Sequence, residues 1–203
     1  DRSGEIDFEN LEALRENGYL SLTVPKNKGG KGVRSLREIV KIVSQVAKGD
    51  PSTALILAMQ YLQTIAIVLS PTWPEAVRDE VLETVLHSGA LVNALRVEPA
   101  LGTPARGGVP ATRVRREGER WLLSGRKIFS TGSSALHWGV VWSATEEETP
   151  RIGQVLVPLA LPGVRLEKSW HQLGMRATGS DTIIFEDVEI PERYLINFQT
   201  REG

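Results

Sequence analysis

Residues 121–132 carry the side chains that most clearly suggest chemistry in this chain. Their sequence is WLLSGRKIFSTG, an apolar strand pattern that passes through a glycine turn to an aromatic ring and two hydroxyls, Phe129, Ser130 and Thr131. An aromatic face beside hydroxyl groups suits a flat ligand with a polar edge, because the ring packs on the plane of the ligand and a hydroxyl can donate or accept a hydrogen bond. The segment therefore predicts a site for a flat, polar-edged molecule.

Metal and thiol chemistry find little support in the sequence. The chain has no cysteine, which excludes disulfides, thiolate catalysis and cysteine-ligated metal centres. Its three histidines, His87, His137 and His171, lie far apart, and none has the spacing of a metal-ligand pair. We therefore predict no metal site.

The bulk composition is that of a globular protein with a sizeable core. The 203 residues are 41% hydrophobic, and 24 basic against 25 acidic residues leave a net charge of -1. Such a balance argues against a nucleic-acid partner. The longest apolar run, residues 54–69, is interrupted by polar side chains and falls short of the roughly 20 residues of a membrane span, so we expect a core helix and no membrane partner. No secretory leader is recognisable, and we expect a cytoplasmic protein.

Helical patterns occupy the first ninety residues. Ser35 with Glu38 forms a capping box, and Asp50 followed by Pro51 offers an N-cap and a proline in the first helical turn. Gly18 and Gly89 are suited to end helices, since glycine readily adopts the left-handed conformation found there. These signals predict a helical domain over residues 1–90, with helices at residues 8–17, after Ser35, at 51–69 and after Pro74.

Beyond Gly89 the helical period gives way to short β-branched and aromatic runs between turn signals. This pattern predicts an antiparallel β-barrel domain over residues 91–203 and an α+β protein as a whole. A hairpin turn is expected at residues 116–120, where Gly118 supplies a positive φ. The predicted strands are residues 91–97, 112–116, 121–131, 138–145, 154–158, 164–170 and 182–190.

Six short segments together form a recognisable series. They are GYL at 18–20, PKNKGG at 25–30, VEP at 97–99, the 121–132 segment, LGMR at 173–176 and FEDVEIP at 185–191. Taken in this order, they resemble the N-terminal helical and middle flavin-binding domains of the acyl-CoA dehydrogenase superfamily, and also the flavin monooxygenase branch of the same fold. The family's C-terminal four-helix bundle has no counterpart in this chain.

The resemblance implies a flavin cofactor, FAD or alternatively FMN, and a set of residues that contact it. It places Phe129 against the flavin ring and the hydroxyl of Thr131 near N5, the atom that accepts hydride. With no glycine-rich dinucleotide fingerprint present, the flavin would lie in a cleft. Arg176 is implied as a substrate-binding residue. The implied cofactor-binding residues are Asn93, Leu95, Arg96, Val97, Phe129, Ser130 and Thr131.

The implied reaction is α,β-dehydrogenation of an acyl-CoA thioester with hydride transfer to flavin N5. The family's catalytic base belongs to the absent bundle, so we assign no catalytic residue to this chain and expect no turnover without that part. An electron-transfer partner or reductase and, for the full-length protein, a homo-oligomer are further implications.

Three departures from the family pattern leave the reaction open. Phe129 stands where tryptophan is usual, Val97 where threonine is usual, and residues 101–108 replace an Ala-Gly-Ser-Asp loop. Asn93 and the Lys-x-Phe-Ser-Thr-Gly pattern also resemble the flavin monooxygenases. Dehydrogenase, monooxygenase and a non-catalytic or split-subunit binding module therefore remain as alternatives.

Overall fold

A computed structural model describes residues 4–101 and 108–200. Its four helices are α1 (Phe8–Glu16), α2 (Leu36–Gly49), α3 (Pro51–Leu69) and α4 (Glu75–Ser88). The predicted start signals are confirmed: Ser35 Oγ accepts from the Glu38 amide at 3.4 Å, and Asp50 Oδ1 accepts from the Ser52 amide at 2.9 Å. Gly89 ends α4 at a φ of 66°, as the C-terminal glycine signal predicts.

The apolar helix α3 lies at the centre of the helical part. It contacts α2, the first strand β1 (Leu91–Leu95) and the short 3-10 turn at Arg176–Thr178. By length and composition alone it passes as a membrane span, with a mean hydropathy of 1.6, and half of that stretch is buried against the rest of the chain. Gln60, in its middle, accepts from the Val92 amide at 2.8 Å and so ties the helix to the first strand.

In the described part of the chain, eight strands follow the helices and form one sheet in the order β6-β7-β3-β2-β4-β5-β8, with β1 also paired to β4. Both β1 and β2 run parallel to β4, and the other pairings are antiparallel. The strands are β1 (Leu91–Leu95), β2 (Arg113–Glu117), β3 (Arg120–Lys127), β4 (Leu136–Thr145), β5 (Arg151–Pro158), β6 (Val164–Glu167), β7 (Thr182–Ile190) and β8 (Leu195–Thr200).

The predicted antiparallel barrel is therefore wrong, since the sheet is mixed and open with β6 and β8 at its edges. Apolar alternation identifies strands but carries no information on their partners or direction. Val77, Val81 and Val85 of α4 share one core with the strands, including Leu123 and Val155. Because a helix covers apolar side chains of the sheet, the strands bury them without closing on themselves.

Three of the predicted strands are longer than the strands in the structure, and one strand of the structure was not predicted. The predicted strand 121–131 ends at Lys127, so Phe129, Ser130 and Thr131 lie in the following loop and not on a strand as expected. Likewise 91–97 ends at Leu95, and 164–170 ends at Glu167. Residues 195–200 form β8, whose short and half-exposed pattern gives no clear signal in the sequence. Most of the 101–108 segment, residues 102–107, lies outside the described residues.

Candidate functional site

Phe129 is the conspicuous residue at the end of β3. Its φ is 57°, in the left-handed region that a bulky L-residue rarely adopts, and its side chain is 54% exposed. Strain of this kind persists only where the surrounding structure enforces it, and it is concentrated at functional sites. The loop between β3 and β4, residues 128–135, is called the Phe129 loop. Its exposed ring and unusual backbone make it the leading candidate site.

Backbone hydrogen bonds hold that loop to the segment before β7. The Ser130 amide donates to the Asp181 carbonyl at 3.1 Å, and the Gly132 amide donates to the Thr178 carbonyl at 2.8 Å. The bond from the Ser133 amide to the Gly179 carbonyl, at 3.1 Å, completes the ladder. Residues distant in the sequence thereby fix the conformation in which Phe129 faces outward.

Trp170 lies beside Phe129 and was not singled out by the sequence analysis. The two rings meet edge to face, with centroids 5.8 Å apart and planes at 84°. Trp170 Nε1 donates to the Met175 carbonyl at 2.9 Å, and its backbone amide donates to the buried Asp181 carboxylate at 3.0 Å. The only sequence signal for this residue is its position just before the LGMR segment, so its pairing with Phe129 required the tertiary structure.

A row of hydroxyl groups leads inward from Thr131. Its Oγ1 lies 3.0 Å from Ser180 Oγ, which in turn lies 2.8 Å from Thr178 Oγ1. Thr178 Oγ1 donates to the Met175 carbonyl at 2.8 Å. Thr131 is half-buried, whereas Ser180 and Thr178 are buried, so the row runs from the surface of the site into the protein.

The structure brings Asn93 to the same loop from β1. Asn93 is buried at 4% exposure, and its Nδ2 donates to the Thr131 carbonyl at 3.0 Å. Its Oδ1 accepts from the Ala94 amide at 2.8 Å. This arrangement lets Asn93 position Thr131, while a direct contact with a cofactor stays a prediction.

The remaining predicted residues of this region differ in what they present. Leu95 is 1% exposed and its side chain belongs to the core, so only its backbone is available to a ligand outside the core. Arg96 is exposed, and Val97 bridges to Ile128, whose amide donates to the Val97 carbonyl at 3.0 Å. Ser130 is buried at 1% exposure with its hydroxyl 3.5 Å from the Lys127 carbonyl.

A buried ion pair lies beneath the loop. Lys127 Nζ is 2.7 Å from Glu98 Oε1, and the two side chains are 0% and 2% exposed. Glu98 also accepts from the Ala111 amide at 2.7 Å and from the amide and hydroxyl of Thr112 at 2.9 and 2.7 Å. The pair fixes the start of the Phe129 loop to the segment that follows β1.

The ion pair has perturbed titration. Burial lowers the pKa of Lys127 to about 8, although the hydrogen bond and charge of Glu98 act in the opposite direction. Burial by itself would raise the pKa of Glu98, but the hydrogen bonds from Lys127, Thr112 and the two backbone amides hold it below its usual value. The sequence did not identify this pair, because nothing in the segments that contain Glu98 and Lys127 implies that the two side chains meet.

Arg176 lies outside the hydroxyl row, at the start of a 3-10 turn, and its side chain is exposed. It lines a polar cavity of about 440 Å³ together with Trp170 and Lys168. Trp170 borders both this cavity and the Phe129 ring, and substrate binding by Arg176 stays a prediction. Within residues 4–101 and 108–200 there is no group of three or more side chains suited to a metal ion.

Two family models match this chain in the order of its helices and strands. The N-terminal domain of acyl-CoA dehydrogenase matches residues 1–86, and the middle domain of acyl-CoA dehydrogenase matches residues 96–188. The chain belongs to the acyl-CoA dehydrogenase superfamily. The Phe129 loop, the hydroxyl row and the buried ion pair all fall within the part that matches the middle domain of this superfamily.

Relatives within the superfamily have different names. YdbM of Bacillus subtilis, named as an acyl-CoA dehydrogenase, is 32% identical over 97% of this chain and 51% of its own length. The amino sugar nitrososynthase RubN8 of Streptomyces rubradiris is also 32% identical, over 97% of this chain and 46% of its own length. The chain thus spans about half the length of the relatives it matches.

The structure of this chain is also similar to a solved structure. KijD3, in a complex with FMN and a dTDP-linked sugar, is 29% identical with a TM-score of 0.86. The match covers 98% of this chain and 49% of that chain. The superfamily fold of the helices and the mixed sheet is therefore shared with a protein solved with a flavin.

Proposed function

We propose that this chain binds a flavin, FAD or FMN, at the Phe129 loop and forms part of a flavin-dependent oxidoreductase. The observation that carries the proposal is the exposed Phe129 residue, held at positive φ in an edge-to-face contact with Trp170, with the Thr131 hydroxyl two residues along. An exposed aromatic surface beside a hydroxyl fits a flat heterocycle with polar atoms on its rim.

The residues of the chain have separable roles in this proposal. Phe129 packs against the ring system, and Trp170 supports Phe129 from the side. Thr131 Oγ1 forms a hydrogen bond with a polar atom on the rim of the ring, and Asn93 holds the Thr131 backbone in place. The bound flavin would supply the redox chemistry, and the protein would supply orientation and electrostatics.

For the reaction we propose α,β-dehydrogenation of an acyl-CoA thioester, with hydride passing to flavin N5. The two family models and the similarity to YdbM support this choice. The contribution of this chain would be to bind and orient the cofactor, and Arg176 would bind substrate at the cavity that it lines with Trp170. None of the described residues is assigned as the base that removes the substrate proton.

A flavin-dependent monooxygenase is the second candidate, and a specific observation favours it. The chain has the same sequence identity, 32%, to the nitrososynthase RubN8 as to YdbM, and KijD3 was solved with FMN. The presence of Phe129 and Asn93, which resemble the monooxygenase branch, agrees with this alternative. A non-catalytic module that binds flavin without turnover is the third outcome that an experiment must separate.

The remaining expectations are part of the same proposal. We propose a division near residue 90 into a helical domain and a flavin-binding domain, a cytoplasmic location, a small-molecule substrate and a homo-oligomer in the full-length protein. A reductase or an electron-transfer partner would exchange electrons with the flavin.

The first experiment is a titration of the purified protein with FMN and with FAD, followed by absorbance and fluorescence. Phe129→Ala and Thr131→Val should each weaken binding of the preferred flavin, whereas Phe8→Ala removes a similarly exposed ring from α1, at 56% exposure, and should not. Absence of binding to both flavins would refute the proposal.

The second experiment separates the reactions. Both reactions are assayed with the full-length protein, because no base is assigned to this chain. Anaerobic addition of acyl-CoA thioesters to the oxidised, flavin-loaded full-length protein should bleach the flavin absorbance if it is a dehydrogenase. Supply of reduced flavin, labelled dioxygen and an amino or sulfur substrate should place the label in product if it is a monooxygenase. Flavin binding with neither result would favour the non-catalytic module.

A further inference from the structure

The inference concerns the row of hydroxyls behind Thr131 and rests on the proposed flavin site. We propose that Thr131, Ser180 and Thr178 form a hydroxyl chain with two proton orientations, and that the more stable one presents Thr131 Oγ1 to the ligand as a hydrogen-bond acceptor. Such a chain would favour a flavin whose N5 carries a proton, which is the reduced form.

The direction of the hydrogen bonds in the hydroxyl chain follows from its inner end, at Thr178. A carbonyl oxygen can only accept, so Thr178 must be the donor in its 2.8 Å bond to the Met175 carbonyl. Each hydroxyl has a single proton, so Ser180 must then donate to Thr178 across 2.8 Å. Thr131 must in turn donate to Ser180 across 3.0 Å. Thr131 Oγ1 is left with lone pairs for the site and no proton.

The opposite orientation of the protons contains one hydrogen bond fewer. In it, Thr178 donates to Ser180 and Ser180 donates to Thr131, so that the Thr131 proton is free for a ligand. The Met175 carbonyl then loses the Thr178 hydroxyl, although it keeps Trp170 Nε1 at 2.9 Å and the Thr178 amide at 3.2 Å. These remaining donors keep the carbonyl satisfied, so the reversal is accessible.

Burial preserves the difference in free energy between the two orientations, because water does not replace the hydrogen bonds that distinguish them. Thr178 is 0% exposed and Ser180 is 4% exposed, so the inner part of the chain does not exchange its protein partners for solvent. A hydrogen bond gained under these conditions changes an equilibrium by about 3- to 10-fold. The chain is therefore biased, by roughly this factor, toward the orientation in which Thr131 accepts.

The two redox forms of a flavin distinguish these orientations. N5 of the oxidised ring is an acceptor and requires a donor from the protein, whereas N5–H of the reduced ring is a donor and requires an acceptor. We expect the chain to raise the affinity for reduced flavin relative to oxidised flavin by about 3- to 10-fold. A tenfold change corresponds to about 30 mV in the potential of a two-electron couple.

Ser180→Ala tests the inference because it cuts the chain next to Thr131. The dissociation constants of oxidised and reduced FMN and FAD, and the midpoint potential of the bound flavin, are measured for the unsubstituted protein and the variant. We expect Ser180→Ala to lower the preference for reduced flavin by about 3- to 10-fold and to shift the potential to more negative values. Thr178→Val, which removes the inner donor, should shift it in the same direction.

Ser143→Ala is the matched control, since Ser143 is a fully buried serine on β4 that is not a member of the chain. It should leave the potential unchanged, and circular dichroism would verify the fold of each variant. Unchanged or more positive potentials in both Ser180→Ala and Thr178→Val, with flavin still bound, would overturn the inference but not the proposed function. Failure of the unsubstituted protein to bind either flavin would overturn both.

Discussion

Substitution of Lys127 by methionine gives a severe test of the structure beneath the Phe129 loop. The change preserves most of the side-chain volume and removes the charge that lies 2.7 Å from Glu98 Oε1. Glu98 is then left as a buried carboxylate with three hydrogen-bond donors and no countercharge. Removing one partner of a buried ion pair typically costs about 3–5 kcal/mol. Because domains have total stabilities of about 5–15 kcal/mol, we expect a large loss.

The pH dependence of that loss follows from the pKa of Lys127, which burial lowers from 10.5 to about 8. Between these values the unfolded chain binds the proton more tightly than the folded chain, so stability rises with pH. This rise belongs to the unsubstituted protein, in which Lys127 loses its proton at a lower pH when folded than when unfolded. The Lys127→Met variant lacks this rise. The difference in free energy of unfolding between the unsubstituted protein and the variant should therefore widen from pH 8 to pH 10.5.

Urea unfolding followed by circular dichroism at pH 7, 9 and 10.5 measures both effects. The double variant Glu98→Gln with Lys127→Met is the control, because it removes both charges and should recover a substantial part of the loss at pH 7. A loss below about 1 kcal/mol for Lys127→Met would mean that the pair is hydrated in solution. A gap that stays constant or narrows above pH 8 would refute the reasoning from the lowered pKa of Lys127.

Three further predictions use the same unfolding assay or the flavin titration. Gly125→Ala should lower the free energy of unfolding by more than about 1 kcal/mol, because its φ is 152° and a Cβ would lie 2.6 Å from Thr112 Cα; Gly118→Ala, with open space around it, should lower it less. Asp50→Ala should lower the free energy of unfolding by about 1 kcal/mol through loss of the α3 N-cap, and an unchanged value would contradict the cap. Phe129→Gly should relieve the strain at a φ of 57° and leave stability unchanged or raised, while flavin affinity falls; retained affinity would show that the ring is dispensable.

Local signals in the sequence determined the helices and most of the strands. The Ser35 and Asp50 caps and the Gly89 stop are read from residues within one helical turn, and the structure confirms them. Strand existence was equally local, since alternation and turn residues mark it. The order of short motifs was sufficient to identify the superfamily, and it directed attention to the Phe129 loop, because a linear motif is fully contained in the sequence.

Only the tertiary structure determined which strands pair and which distant side chains are in contact. A run of apolar residues does not specify whether β1 lies parallel to β4, so the predicted antiparallel barrel became a mixed, open sheet. The edge contact of Trp170 with Phe129 joins residues 41 positions apart. The Lys127 to Glu98 pair also joins residues distant in the sequence. These contacts arise when β3, β7 and the loops beside them are brought together, and their energies depend on burial and distance, which no local pattern of residues encodes.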